Sequence, residues 1–73
     1  MKPEAYKIWK NPEHRGESPK YLGDFYPPKG QVCFFNSDLT ALGFGAGDYT
    51  IRVPSLIRKI YALPEWQKVS VIE

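Results

Sequence analysis

The sequence holds one cysteine and one histidine in 73 residues. With Cys33 alone no intrachain disulfide can form, and Cys33 with His14 cannot supply the four ligands of a structural zinc site. Two of the staples that stabilise small domains are therefore excluded. Long apolar runs are missing as well. Nothing approaches the roughly 20 residues of a membrane span, and "MKPEAYKIW" lacks the apolar stretch of a signal peptide. The expectation is a soluble protein with no membrane partner and no signal-peptide secretion. Charge of one sign is also scarce: 10 basic against 8 acidic side chains leave a net charge of +2. That balance falls short of the charge density that by itself implies a nucleic-acid partner.

What the chain does have is 42% apolar and 15% aromatic content, enough for one small globular domain, residues 1 to 73. A lone core of this size rarely supplies more than about 3 to 5 kcal/mol and leaves no room for a deep substrate cleft. Neither a cofactor nor a small-molecule substrate is expected. Cys33, flanked by Val32, Phe34 and Phe35, reads as a small buried hydrophobe, which suits a reducing compartment.

Tyr6 and Ile8 alternate with Lys7 and predict a short strand over 6 to 9. The apolar-free stretch "KNPEHRGESPK" follows as a surface loop, and a second strand fits 21 to 26, stopped by Pro27 and Pro28. After the apolar run 32 to 35, Asn36 or Ser37 is a candidate helix N-cap, with Asp38 in the first turn. Phe35, Leu39 and Leu42 fall on one face of a two-turn helix, and Gly43 sits at its C-cap. From 48 to 53, Tyr49, Ile51 and Val53 alternate cleanly with Asp48, Thr50 and Arg52. The run 55 to 63 reads first as a short helix capped by Ser55, with Leu56, Ile60 and Leu63 on one face. Ile57, Lys59 and Tyr61 also fit the alternation of a strand. A last strand centres on Val69 and Val71. The expected fold is α+β: an antiparallel sheet of three to four strands with one short helix packed on it. It divides into a ββαβ core over 5 to 53 and a C-terminal extension over 54 to 73.

Gly43, Gly45 and Gly47 raise the possibility of a phosphate loop. Dinucleotide and P-loop sites need the order strand, glycines, helix, so that free N–H groups at a helix start meet the phosphate. Here the glycines follow a helix and precede a strand, and no Gly-Lys-Ser or Gly-Lys-Thr follows them. All three are read as a structural turn, with Phe44 as an apolar plug.

The segments "YLGDF", "DLTAL" and "FGAGDYTIRV" together resemble a pattern in small proteins encoded by phages, related viruses and mobile elements. Those proteins run strand, strand, short helix, glycine-rich turn, strand, with a tyrosine one residue after the turn. Gly45, Ala46, Gly47 and Tyr49 match that spacing, and the likeness covers residues 6 to 53. This chain departs from it by a shorter helix, an extra Gly43 and a proline-bounded extension after Val53. The resemblance implies a viral origin, a ββαβ core and a place in the host cytoplasm or the virion. It carries no activity.

Catalytic groupings are not visible. His14 lies in the polar loop with no nucleophile placed beside it, the serines lack nucleophile-elbow context, and Asp24, Asp38, Asp48 and Glu65 are scattered. No catalytic, cofactor or metal residue is assigned. The leading expectation is a non-enzymatic protein that works through protein contacts, a minor structural or assembly component with a protein partner or self-association. Trp9, Tyr61 and Trp66 are its candidate contact residues, since tryptophan and tyrosine are enriched at interface hot spots. Two alternatives stay open. One is a nucleic-acid-binding module using Arg52, Arg58, Lys59 and Lys68 on phosphates and exposed aromatics on bases. The other is an inhibitor of a host protein.

Overall fold

The computed structural model describes residues 4–72. Along the chain run β1 (Tyr6–Lys10), β2 (Lys20–Phe25), α1 (Asn36–Ala41), β3 (Gly47–Arg52), α2 (Ser55–Tyr61) and β4 (Trp66–Val71). Neighbouring strands are antiparallel in the order β2-β1-β3-β4, so the protein is an α+β domain with an open four-stranded sheet and two short helices. The segment after Val53 supplies α2 and the fourth strand, which pairs with β3. Among the described residues no helix is long and apolar enough to cross a membrane.

Alternation decides which side of the sheet becomes the core. Tyr6 and Ile8 of β1, and Tyr49 and Ile51 of β3, project to the same face, where Ile8 stands opposite Ile51. Val53, Val71, Phe34 and Leu39 complete the buried cluster. Its two tyrosines keep their hydroxyls satisfied: Tyr6 donates to the Val32 carbonyl at 2.6 Å and Tyr49 to the Gly45 carbonyl at 2.7 Å. Burial is the main cause that pushes the Tyr6 phenol above its ordinary pKa.

The helix caps differ from expectation. Phe35, in extended backbone, is the N-cap of α1, and the Asp38 carboxylate reaches back to accept its N–H at 2.8 Å. Asn36 and Ser37 are inside the helix, so the acid of the first turn does the capping that a hydroxyl or amide was expected to do. Because Phe35 precedes the helix, the 3.6-residue period does not govern it. Phe34 and Leu39 are buried instead, while Phe35 and Leu42 are exposed. Gly43, at φ +90°, ends α1 in a Schellman motif: its N–H donates to Thr40 and the Phe44 N–H donates to Leu39.

Gly47, at φ +151°, opens β3 where a Cβ would lie 2.9 Å from Lys10 Cε. Gly45 lies outside the left-handed region and contributes the carbonyl that Tyr49 binds. Phe44 stacks on Tyr49 at 5.6 Å and meets Phe25 edge-on at 5.4 Å.

Residues 55 to 61 form a helix, not a strand. Pro54, not Ser55, is its N-cap, and no side chain caps it. Starting at Pro54 sets the phase so that Ile57 packs on the core, together with Leu63 beyond the helix. Leu56 and Ile60, expected to face inward, are 55% and 61% exposed. Cys33 is a free thiol that is half-buried, less enclosed than its apolar neighbours suggested. The backbone there is held from outside: the Gln31 amide donates to the Cys33 carbonyl at 3.2 Å and to Asp38 at 2.9 Å.

Candidate functional site: the open face of the sheet

The core cluster occupies one face of the sheet, and the opposite register positions carry a different chemistry. They are Tyr21 and Asp24 on β2, Lys7 and Trp9 on β1, Asp48, Thr50 and Arg52 on β3, and Trp66, Lys68 and Ser70 on β4. Tyr21 reaches this face because the β1–β2 register shifts between Ile8 and Trp9, which places Tyr21 directly opposite Trp9. Without that bulge the pleat would turn Tyr21 toward the other side.

Three aromatic rings meet there. Trp9 lies 5.2 Å from Tyr21 at a 47° tilt and 5.6 Å from Trp66 at 61°. Tyr21 and Trp66 remain 48% and 43% exposed, and Trp9 is half-buried between them. Beside the cluster a shallow depression of about 340 Å³ is lined by Trp9, Asn11, Pro19, Thr50 and Trp66. Asn11 is fixed there: its N–H donates to the Asp48 carbonyl at 2.8 Å, and its side chain accepts from the Thr50 hydroxyl at 2.9 Å.

Two of the three cations on this face, Lys7 and Arg52, are paired with carboxylates. Lys7 Nζ stands 3.2 Å from Asp24 and 6.0 Å from the Tyr21 ring centroid. Arg52 lies 3.3 Å from Glu65 and 5.9 Å from the Trp66 ring centroid. Tyr21 donates its hydroxyl to Asp24, and Ser70 donates to Asp48 at 2.7 Å. The Tyr21 hydrogen bond, followed by the one from Lys7, holds the Asp24 carboxyl below the usual carboxylate range. The same Asp24 raises the Lys7 ammonium and the Tyr21 phenol above their ordinary values. Lys68 has no ion-pair partner among the described residues.

Of the expected contact residues, Trp9 and Trp66 come together and Tyr61 does not. Tyr61 belongs to α2, which packs Ile57 against the core and so lies on the other side of the sheet. The same reason divides the expected cations. Arg52 and Lys68 are on the open face, whereas Arg58 and Lys59 are on α2, and the Arg58 guanidinium donates to the Val53 carbonyl at 3.0 Å. Asp24, Asn11 and Thr50 were not among the expected contact residues. Thr50 carries the signal of phase, out of step with Tyr49 and Ile51, and Asn11 continues the Lys7 and Trp9 phase one residue past β1, whereas Asp24 shares the phase of Leu22 until the bulge resets it.

Groups of three or more His, Cys, Asp or Glu that could hold a metal ion are not found among the described residues. His14 is exposed in the loop between β1 and β2. No protein-family model, curated protein or solved structure matches the chain.

Proposed function

We propose that this protein works by docking a partner protein on the open face of its sheet, as a non-enzymatic contact protein. The observation that carries this reading is the Trp9, Tyr21 and Trp66 cluster, bordered by Lys7 and Arg52, each already paired with a carboxylate. An aromatic centre inside a neutral polar rim has the anatomy of a protein interface, where tryptophan and tyrosine supply most of the binding energy. Phosphate backbones demand the opposite, cations left free to replace counterions. The likeness of residues 6 to 53 to small phage- and virus-encoded proteins supports reading the partner as a component of a particle or of its assembly. Inhibition of a host protein would use the same face.

Arg52 and Lys68 favour a second reading, because they share the face with three rings that could stack on bases. Affinity capture with wild type and with Trp9→Ser, followed by titration of single-stranded and duplex DNA at two salt concentrations, separates the two. A stoichiometric protein partner lost with Trp9→Ser supports the protein interface. Binding of either DNA that weakens steeply with salt overturns it in favour of nucleic acid.

A further inference from the structure

The sheet order leaves two edges, β2 and β4, and they are built differently. β2 carries the features that keep an edge from pairing. A bulge interrupts its register, Gly23 sits inside it at φ +128°, and Pro19 and Pro27 stand just outside its ends. β4 has none of these. Its six residues, WQKVSV, pair with β3 in unbroken register and contain no proline and no glycine. Ile72, immediately after it, is 85% exposed, the most exposed large apolar side chain among the described residues.

The direction of the free backbone groups follows from the ladder. Val53 N–H donates to the Glu65 carbonyl at 2.9 Å, continuing the β3–β4 register by one pair. In an antiparallel ladder hydrogen-bonded pairs alternate, so Gln67, Val69 and Val71 point their N–H and C=O groups at β3. Trp66, Lys68, Ser70 and Ile72 point theirs outward.

We propose that β4 pairs antiparallel with β4 of a second copy of this chain, joining two sheets edge to edge about a two-fold axis at Val69. Side-chain chemistry selects that register. Residues opposite one another must share a face, so the axis falls on a residue and not between two. An axis at Lys68 would set Lys68 against the partner copy's Lys68. An axis at Val69 sets Lys68 against Ser70 and Trp66 against Ile72, which covers the two exposed apolar side chains of this edge on the open-face side. It also brings all the outward groups from 66 to 72 into the ladder, more than the axis at Lys68 does. The isologous arrangement satisfies both copies with one patch. The pairing shares Trp66 with the open-face cluster, but its ladder is made by the β4 backbone alone, so it stands whether or not that face binds a partner.

The test uses charge across the axis. Sedimentation velocity of the full chain between about 10 µM and 1 mM should show a monomer–dimer equilibrium, the small interface placing it in the micromolar range or weaker. Ser70→Lys puts two Lys–Lys pairs across the axis and should weaken dimerisation about tenfold or more. Adding Lys68→Glu to it turns both pairs into Lys–Glu and should restore the dimer. In wild type, amide exchange at Lys68 and Ser70 should slow with protein concentration, while Val69, already bonded to β3, should not change. A monomer throughout that range overturns the proposal. So does a dimer that Ser70→Lys leaves intact while its circular dichroism matches wild type, or one that Lys68→Glu fails to rescue.

Discussion

Gln67 is a polar residue in a core-facing register of β4, two residues before Val69. Its amide replaces a peptide group: it accepts the Phe34 N–H at 3.1 Å and donates to the Phe34 carbonyl at 2.5 Å. Both backbone groups of a buried residue depend on that one side chain. Gln67→Met, similar in size, removes both bonds without leaving a void, and each unsatisfied group costs about 1 to 3 kcal/mol. Urea unfolding should show a loss of at least that size, whereas Gln67→Glu, which keeps the acceptor, should lose less at low pH than at neutral pH. Asp24 is the counterpart on the open face. Its folded pKa lies below the unfolded one, so its contribution to stability is complete above the ordinary carboxylate range and is lost as pH falls through the folded value. The thermal midpoints of wild type and Asp24→Asn should therefore differ at neutral pH and converge below about pH 4. In the same variant the Tyr21 phenol, no longer beside a carboxylate, should titrate closer to its ordinary value by ultraviolet difference absorbance.

Among the elements, strands were more legible than helices, and the reason is period. Tyr49, Ile51 and Val53 alternate without exception, and β3 forms where that alternation lies. A helix of 6 or 7 residues offers only one or two repeats of a 3.6-residue period. The starting point then decides the buried face, and the starting points, Phe35 and Pro54, precede those expected, Asn36 or Ser37 and Ser55. Burial falls on Phe34 in place of Phe35 and on Ile57 in place of Leu56. The outer face of α2 is consequently apolar without being structural. Leu56→Lys should change stability by less than about 0.5 kcal/mol, while Ile57→Ala should cost about 1 to 2 kcal/mol in denaturant titrations. Gly43 was legible because its demand is local: only a left-handed residue closes the Schellman motif. Gly43→Ala should cost about 1 kcal/mol or more, since φ +90° is strained for any side chain.

At the scale of the whole molecule, the candidate site was legible in parts and not as an assembly. Trp9, Arg52, Trp66 and Lys68 could each be singled out, and each is out of phase with the buried residues of its own strand, which is sufficient to set them on one face. Their adjacency required the order β2-β1-β3-β4, a set of nonlocal pairings that no local pattern contains. Tyr21 depended further on a bulge, and Tyr61, Arg58 and Lys59 were separated from the rest only by the packing of α2. The division into two faces also governs how the protein can be probed. A core that rarely supplies more than about 3 to 5 kcal/mol has little margin for the loss of Ile8 or Ile51, because a fully buried Ile→Ala costs about 2 to 5 kcal/mol and consumes most or all of it. The open face is outside that limit. Trp9 is only half-buried and touches Tyr21 and Trp66, which stay exposed, so Trp9→Ser removes ring contacts worth about 0.5 to 1.5 kcal/mol each plus part of one ring's burial. Trp9→Ser should therefore retain the far-ultraviolet circular dichroism of the folded domain with a lowered thermal midpoint, whereas Ile8→Ala should lose it. An unfolded Trp9→Ser would mean that the aromatic cluster is a second core that the sheet requires, and the face would then be structural before it is an interface.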